Sequence, residues 1–198
     1  MTYYTLSDPC TATLEIKKSQ FLGFGFAIDS REQLMFHVEQ LRNQYPDARH
    51  VCYGYIIGDP HNTTSAGFDD DGEPSGTAGK PILNVLQHKG IGNCVVIVVR
   101  YFGGIKLGAG GLTRAYSSTA QAVVDNMNLH AFVPLSVIQI ETDFANESFV
   151  RHTLDGFNAT ILKVDYGKNV VLTVEAAQKS VQALSEKIGF YGTVKASD

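Results

Sequence analysis

The run CVVIVV, Cys94 to Val99, constrains the fold more than any other stretch of the chain. Five of its six residues are β-branched, which favours an extended strand, and an apolar side chain at every position implies burial of both faces. At six residues it is far short of the roughly 20 that a membrane-spanning helix requires. The chain is therefore expected to build a sheet covered on both sides.

The same strand runs on into RYFGGIKLGAGGLTRAY, Arg100 to Tyr116, which holds five glycines and three basic side chains. Gly103, Gly104, Gly108, Gly110 and Gly111 permit positive φ and let a ligand approach the main chain. The helical spacing of Leu112, Ala115, Tyr116, Thr119, Ala122 and Val123 predicts an amphipathic helix beginning near Leu112. Exposed N–H groups ahead of that helix would form an anion nest, with Arg100, Lys106 and Arg114 supplying charge and Tyr101 lying among them. A tight strand-to-helix turn that uses glycine for steric reasons is the competing reading. No G-K-[ST] is present, and Thr113 occupies the place of the third glycine in a dinucleotide fingerprint.

Upstream, Phe21 to Ile28 reads as a strand. Ser30 with Gln33 forms a capping-box pattern ahead of a helix striped by Leu34, Val38 and Leu41, and Pro46 stops it. His50 to Ile57 is the next strand. Gly58 to Gly79 has no periodicity and reads as a long polar loop, which in a compact domain is more often functional than idle. Lys80 to Gln87 is a short helix with Pro81 in its first turn.

The pattern breaks at Ala131 to Pro134, which sets expected domains of 1–133 and 134–198. In the second, strands Leu135–Glu141, Thr160–Tyr166, Val170–Glu175 and Phe190–Val194 alternate with helices Phe144–Leu154 and Ala177–Ile188. The turn Gly167, Lys168, Asn169 closes a hairpin, and the order βαββαβ is that of a ferredoxin-like sandwich.

Within the polar loop, Asp69, Asp70, Asp71 and Glu73 could hold a divalent cation, with Lys80 close behind. The cluster lacks EF-hand spacing, however, and a solvated turn that caps the following helix explains it equally. No metal site is assigned. His50 and Cys52 share one face of a strand, half of a catalytic pair, although a core histidine and a buried thiol are commoner. Lys17 and Lys18 precede the first long strand and are secondary anion candidates. Cys10, Cys52 and Cys94 suggest reduced thiols with no disulfide framework.

Charge limits the partners. Ten basic residues stand against twelve acidic ones before residue 132, and six against eight after it, for a net charge of −4. That sign opposes general coating of nucleic acid, so any anion site must be local. The N-terminus has neither a basic leader nor a cleavable apolar segment, so a cytoplasmic, membrane-free protein is expected.

Taken in order and spacing, KKSQFLGF, ARHVCYGY, DDGEPSGTAGKPIL and VVIVVRYFGGIKLGAGGLTRAY resemble the signature blocks of the YigZ/IMPACT family. The resemblance covers about Leu14 to Asn126, with the small domain of bacterial members from about Leu135 to Val194. Gln20 departs from the pattern, since an Arg is common there, and this removes one cation beside Lys17 and Lys18. The resemblance implies an α+β chain: an N-terminal domain similar to the left-handed βαβ fold of elongation factor G domain IV and of a ribosomal protein domain, and a C-terminal domain similar to domain V of that factor. Eukaryotic relatives carry a further N-terminal domain and regulate translation by blocking activation of an initiation-factor kinase. This sequence starts about where the signature domain starts, so the kinase role is not expected to carry over.

No catalytic constellation can be assembled and the resemblance implies no enzymatic activity or cofactor. The expected function is non-enzymatic, translation-linked regulation through RNA or ribosome contact at the local anion site, without sequence-specific DNA binding. The alternatives are a metal-assisted enzyme acting on a small phosphorylated metabolite and a protein-interaction module.

Overall fold

A computed structural model describes residues 3–196. They fall into two compact units, the first closing at Phe132 and the second opening at Val133. The first contains β1 (Tyr3–Leu6), β2 (Cys10–Ile16), β3 (Ser19–Ala27), α1 (Arg31–Gln44), β4 (His50–Asp59), β5 (Asn62–Asp69), α2 (Gly79–Lys89), β6 (Cys94–Tyr101), α3 (Ala109–Asp125) and β7 (Leu129–Phe132). No helix among the described residues is long and apolar enough to cross a membrane.

The run at Cys94 becomes β6, the centre of an antiparallel five-stranded sheet of order β2-β3-β6-β4-β5. Its alternate side chains feed two cores. Val95, Ile97 and Val99 pack with Leu34, Val38 and Leu41 of α1. Cys94, Val96 and Val98 pack on the other face with Ile82 and Leu86 of α2 and with Leu112, Ala115 and Tyr116 of α3. Both β3 and β4 run antiparallel to β6, so they are parallel to each other and α1 joins them as a βαβ unit.

Local chemistry sets the ends of α1. The hydroxyl of Ser30 accepts from Gln33 N at 3.4 Å, and the Gln33 side chain accepts from Asp29 N at 3.0 Å. The reciprocal bond thus reaches one residue further back than in the usual capping box. The helix ends at Gln44, ahead of Pro46.

The polar stretch after Gly58 is not one loop. Asn62–Asp69 pairs with β4 as the edge strand β5. Its small, polar residues are mostly exposed and carry no apolar alternation to betray a strand. Three further strands escape the sequence reading. β2 pairs with β3 at the opposite edge, and the short β1 pairs with β7 and bridges Ile91 through Tyr4.

The second unit contains β8 (Leu135–Thr142), α4 (Glu147–Gly156), β9 (Thr160–Tyr166), β10 (Val170–Ala177), α5 (Val181–Ile188) and β11 (Thr193–Ala196). Its antiparallel sheet has the order β11-β8-β10-β9, the arrangement of a ferredoxin-like fold, as the order of its elements predicts. Val150, Leu154, Leu184 and Ile188 from the two helices cover Ile138, Ile140, Leu172 and Val174. The expected hairpin turn is present, with Gly167 N donating to Asn169 O at 3.0 Å. Phe190 belongs to a 3₁₀ turn and is fully exposed, so the last strand starts later than expected, at Thr193.

Two glycines of contrasting surroundings give a paired test. A Cβ on Gly54 would lie 2.5 Å from the backbone nitrogen of Leu83, because α2 packs directly on β4. A Cβ on Gly110 would meet nothing closer than 3.8 Å. Gly54→Ala is expected to lower unfolding stability by about 1–3 kcal/mol. Gly110→Ala should leave it unchanged or raise it by up to about 1 kcal/mol, both read from urea midpoints.

Candidate functional site

The sheet register places His50 directly opposite Arg100, with both side chains on the α2/α3 face. Arg100 is 5% exposed, and its guanidinium donates to Glu73 Oε1 and to Ser19 Oγ, the latter at 3.5 Å. Its carbon lies 5.4 Å from the Phe21 ring centre and 5.6 Å from that of Phe102. Arg100 Nε is buried without an acceptor.

Glu73 Oε1 also accepts from the Tyr116 hydroxyl at 2.8 Å. The Cys52 thiol donates to Asp70 O at 3.1 Å and lies 3.4 Å from the Tyr116 hydroxyl. Burial pushes the Tyr116 phenol and the Cys52 thiol far above their ordinary ranges, so both keep their protons. His50 Nδ1 lies 2.8 Å from Asp71 O. A carbonyl only accepts, so Nδ1 carries a proton, and Nε2 faces Glu73 Oε1 at 4.0 Å.

These contacts argue against Arg100 as a free anion-binding cation and favour the structural readings of Cys52 and of the acidic cluster. Arg100 is no free cation for an anion, because the Glu73 carboxylate already neutralises it. Cys52 is no nucleophile, because it is protonated, inaccessible and bonded to Tyr116 and Asp70 rather than to His50. The acidic cluster is no open cation cage, because each carboxylate has a structural task.

Asp70 accepts from Gly76 N at 2.7 Å, Ala78 N at 3.0 Å and Gly79 N at 2.8 Å, closing the loop onto the start of α2. Asp71 accepts from Val51 N at 2.6 Å and pairs with Arg42 at 2.7 Å. Asp69 accepts from Asp71 N at 2.6 Å. Among the described residues no group of three or more His, Cys, Asp or Glu side chains is arranged around a metal position. Lys80 lies elsewhere, in a cleft of about 410 Å³ between α2 and α3 with Thr113 and Ser117.

The five glycines divide by role. Gly103 N donates to Ser19 Oγ at 3.1 Å, and a Cβ there would sit 1.9 Å from Lys18 O, so this glycine is steric. Gly104 and Gly108 have φ of 84° and 70° and turn the chain into α3. The helix starts at Ala109, three residues before the sequence suggests, so Gly110 and Gly111 are in its first turn. Gly108 supplies no side-chain cap, no acidic residue lies in that turn, and Leu112 N is the first donor to find a backbone partner, Gly108 O. Tyr101 is on the opposite face of β6 and packs with the α1 core.

The start of α3 opens onto a cleft of about 370 Å³ whose floor is Glu73, Arg100 and His50 and whose walls include Arg49, Phe102 and Lys106. The acidic and glycine loops therefore do share one site, although only Glu73 and Pro74 of the acidic loop reach it. Arg114 and Lys17 line a separate depression of about 190 Å³ with Gly111 and Ser118. Lys17 and Lys18, with φ of 49° and 64°, form the two-residue turn between β2 and β3, both in the left-handed conformation a type I′ hairpin demands. Arg49 and Phe102 were missed in sequence; the hint was their position, one residue before His50 and one after Tyr101.

A sheet covered on both faces, with a buried ion pair at one end beneath a glycine-rich turn, followed by a ferredoxin-like unit, defines a two-domain α+β protein. Residues 17–124 match the Impact N-terminal domain and residues 140–189 match a domain of unknown function, DUF1949. The chain belongs to the IMPACT family. It is 36% identical over 180 residues to the IMPACT family member YigZ of Escherichia coli (strain K12), covering 91% of this chain and 88% of that one. Protein IMPACT homolog of Saccharomyces cerevisiae is 31% identical over 124 residues, covering 61% of this chain and 46% of the yeast protein. A crystal structure described as that of an hypothetical protein matches with a TM-score of 0.73 at 32% identity, covering 100% of this chain and 98% of that one.

Removing one member of a buried ion pair strands the other. Glu73→Ala is expected to lower unfolding stability by about 3–5 kcal/mol. Glu73→Leu combined with Arg100→Met should lose less than Glu73→Ala does. A double variant as unstable as the single one would show that the pair's hydrogen bonds, rather than an unpaired charge, set the cost.

Proposed function

We propose that the first domain binds the phosphate backbone of RNA, as part of a translation-linked regulatory role with RNA or the ribosome as partner. The observation that carries this reading is the uncapped start of α3, opening into a cleft with Lys106 and Arg49 beside it. Three successive N–H groups, those of Ala109, Gly110 and Gly111, have no backbone acceptor among the described residues, and the helix dipole adds to their pull on an anion.

Glu73 does not cancel this field. Its charge is matched by Arg100, so the floor is neutral overall while the rim is basic. Lys17 and Arg114 lie on the Gly111 side of the same helical turn and supply a second contact for a neighbouring phosphate. The negative total charge then restricts binding to this face. Regulation of translation comes from the resemblance to the eukaryotic members, and a phosphate site suits such a role without any catalytic step.

An acidic-loop docking site for a basic protein has less support, because Asp70, Asp71 and Glu73 are engaged internally. A metal-assisted enzyme loses its ligands for the same reason.

Fluorescence anisotropy with a short labelled single-stranded RNA tests the proposal. Binding should weaken with salt, with a log–log slope of about −0.7 per phosphate neutralised. Arg49→Ala with Lys106→Ala removes two such contacts and should flatten the slope by about 1.4. Arg100 is unsuitable as the control, since its loss would unbalance the core. A salt-independent affinity, or an unchanged slope in the double variant, would overturn the reading.

A further inference from the structure

We infer that the cleft over Glu73 and Arg100 receives one unstacked base of the bound strand, laid against Phe102, while that nucleotide's own phosphate sits at the start of α3. The inference rests on the phosphate reading above and goes beyond it by naming what fills the cleft. Phe102 lines the cleft, is 48% exposed, and has the buried Arg100 guanidinium 5.6 Å from its ring centre. A fixed, half-exposed aromatic ring is the element on which unpaired bases stack without regard to sequence.

The dimensions agree. About 370 Å³ lies in the range of small-molecule sites and suits a nucleobase with part of its ribose, whereas a base-paired helix cannot enter it. Leu107 and Leu112 give the cleft apolar walls, and the start of α3 lies on the same cleft at Gly108 and Ala109.

The polar atoms converge as a base edge requires. Arg100 is nine-tenths buried, lines the cleft and has an Nε–H without an acceptor. His50 lines the cleft and gives its Nδ1 proton to Asp71 O, which leaves Nε2, 4.0 Å from Glu73 Oε1, as an acceptor. Glu73 Oε2 takes no hydrogen bond among the described residues, since Arg100 and the Tyr116 hydroxyl both use Oε1. The two acceptors suit the edge N–H groups that every nucleobase carries.

The test compares a labelled oligoadenylate with an abasic ribose-phosphate oligomer of equal length and charge, on the wild type and on Phe102→Ala. Phe102→Leu serves as a second variant that keeps apolar bulk without a π face. In the wild type the oligoadenylate is expected to bind about tenfold more tightly than the abasic oligomer, within the range for stacking on one aromatic side chain. Both variants should lose that difference while keeping the salt slope. Equal affinity of the two oligomers for the wild type, with a steep salt slope, would overturn the base pocket and leave the phosphate reading standing. Failure of both oligomers to bind would remove the phosphate reading and the inference with it. AMP alone binding as tightly as the oligomer would mark a free nucleotide as the ligand and overturn the assignment to a strand.

Discussion

The ion pair between Glu73 and Arg100 ties together segments that are distant in sequence. Arg100 is the last but one residue of the central strand, Glu73 belongs to the acidic loop, Tyr116 to α3, and Ser19 begins β3. Burying two charges costs several kcal/mol each, so such a pair persists only where geometry and further hydrogen bonds compensate. Here Tyr116 and Ser19 supply those bonds, and the rings of Phe21 and Phe102 flank the guanidinium. The loop from Asp70 to Ala78 is consequently fixed by ionic and polar contacts on its core side and by the Asp70 carboxylate on its own amides.

That arrangement decides the electrostatics of the cleft. An unpaired Glu73 would repel an anion from the start of α3, and an unpaired Arg100 would attract one to the floor. Matched, they leave a polar but neutral base, and discrimination passes to Arg49, Lys106 and the helix N–H groups at the rim. On the proposed phosphate reading, this is how a chain of net charge −4 keeps one anion-attracting face without adhering to nucleic acid at large.

Periodicity made some of this legible from sequence. The unbroken apolar run at Cys94 predicted a doubly covered strand, and the stripe Leu34, Val38, Leu41 placed α1. The alternations on either side of Gly167 gave the ferredoxin-like hairpin. The edge strand β5 carried no such signal, because an edge position with one exposed face tolerates Asn62, Thr63, Thr64 and Ser65. Arg100 shows the deeper limit. In sequence it is a cation beside five glycines, and only the sheet register with the path of the acidic loop reveals that Glu73 is waiting beneath it. Glycine content was similarly ambiguous: Gly103 is steric, Gly104 and Gly108 are conformational, and Gly110 and Gly111 lie within the helix.

The burial of Arg100 also explains why the glycine turn has to be where it is. Gly103 lies against the backbone of Lys18, and the Ser19 hydroxyl accepts from Gly103 N while receiving Arg100. The β2–β3 hairpin thus presses the chain directly after β6 into one path, and with a Cβ at residue 103 that path would close. Phe102, caught between the buried Arg100 and the fixed Gly103, has its backbone pinned on both sides and its ring left at the cleft. Pinning of this kind lowers the entropy lost when a flat ligand stacks, which is the physical condition for an exposed aromatic side chain to contribute binding energy instead of merely covering the floor.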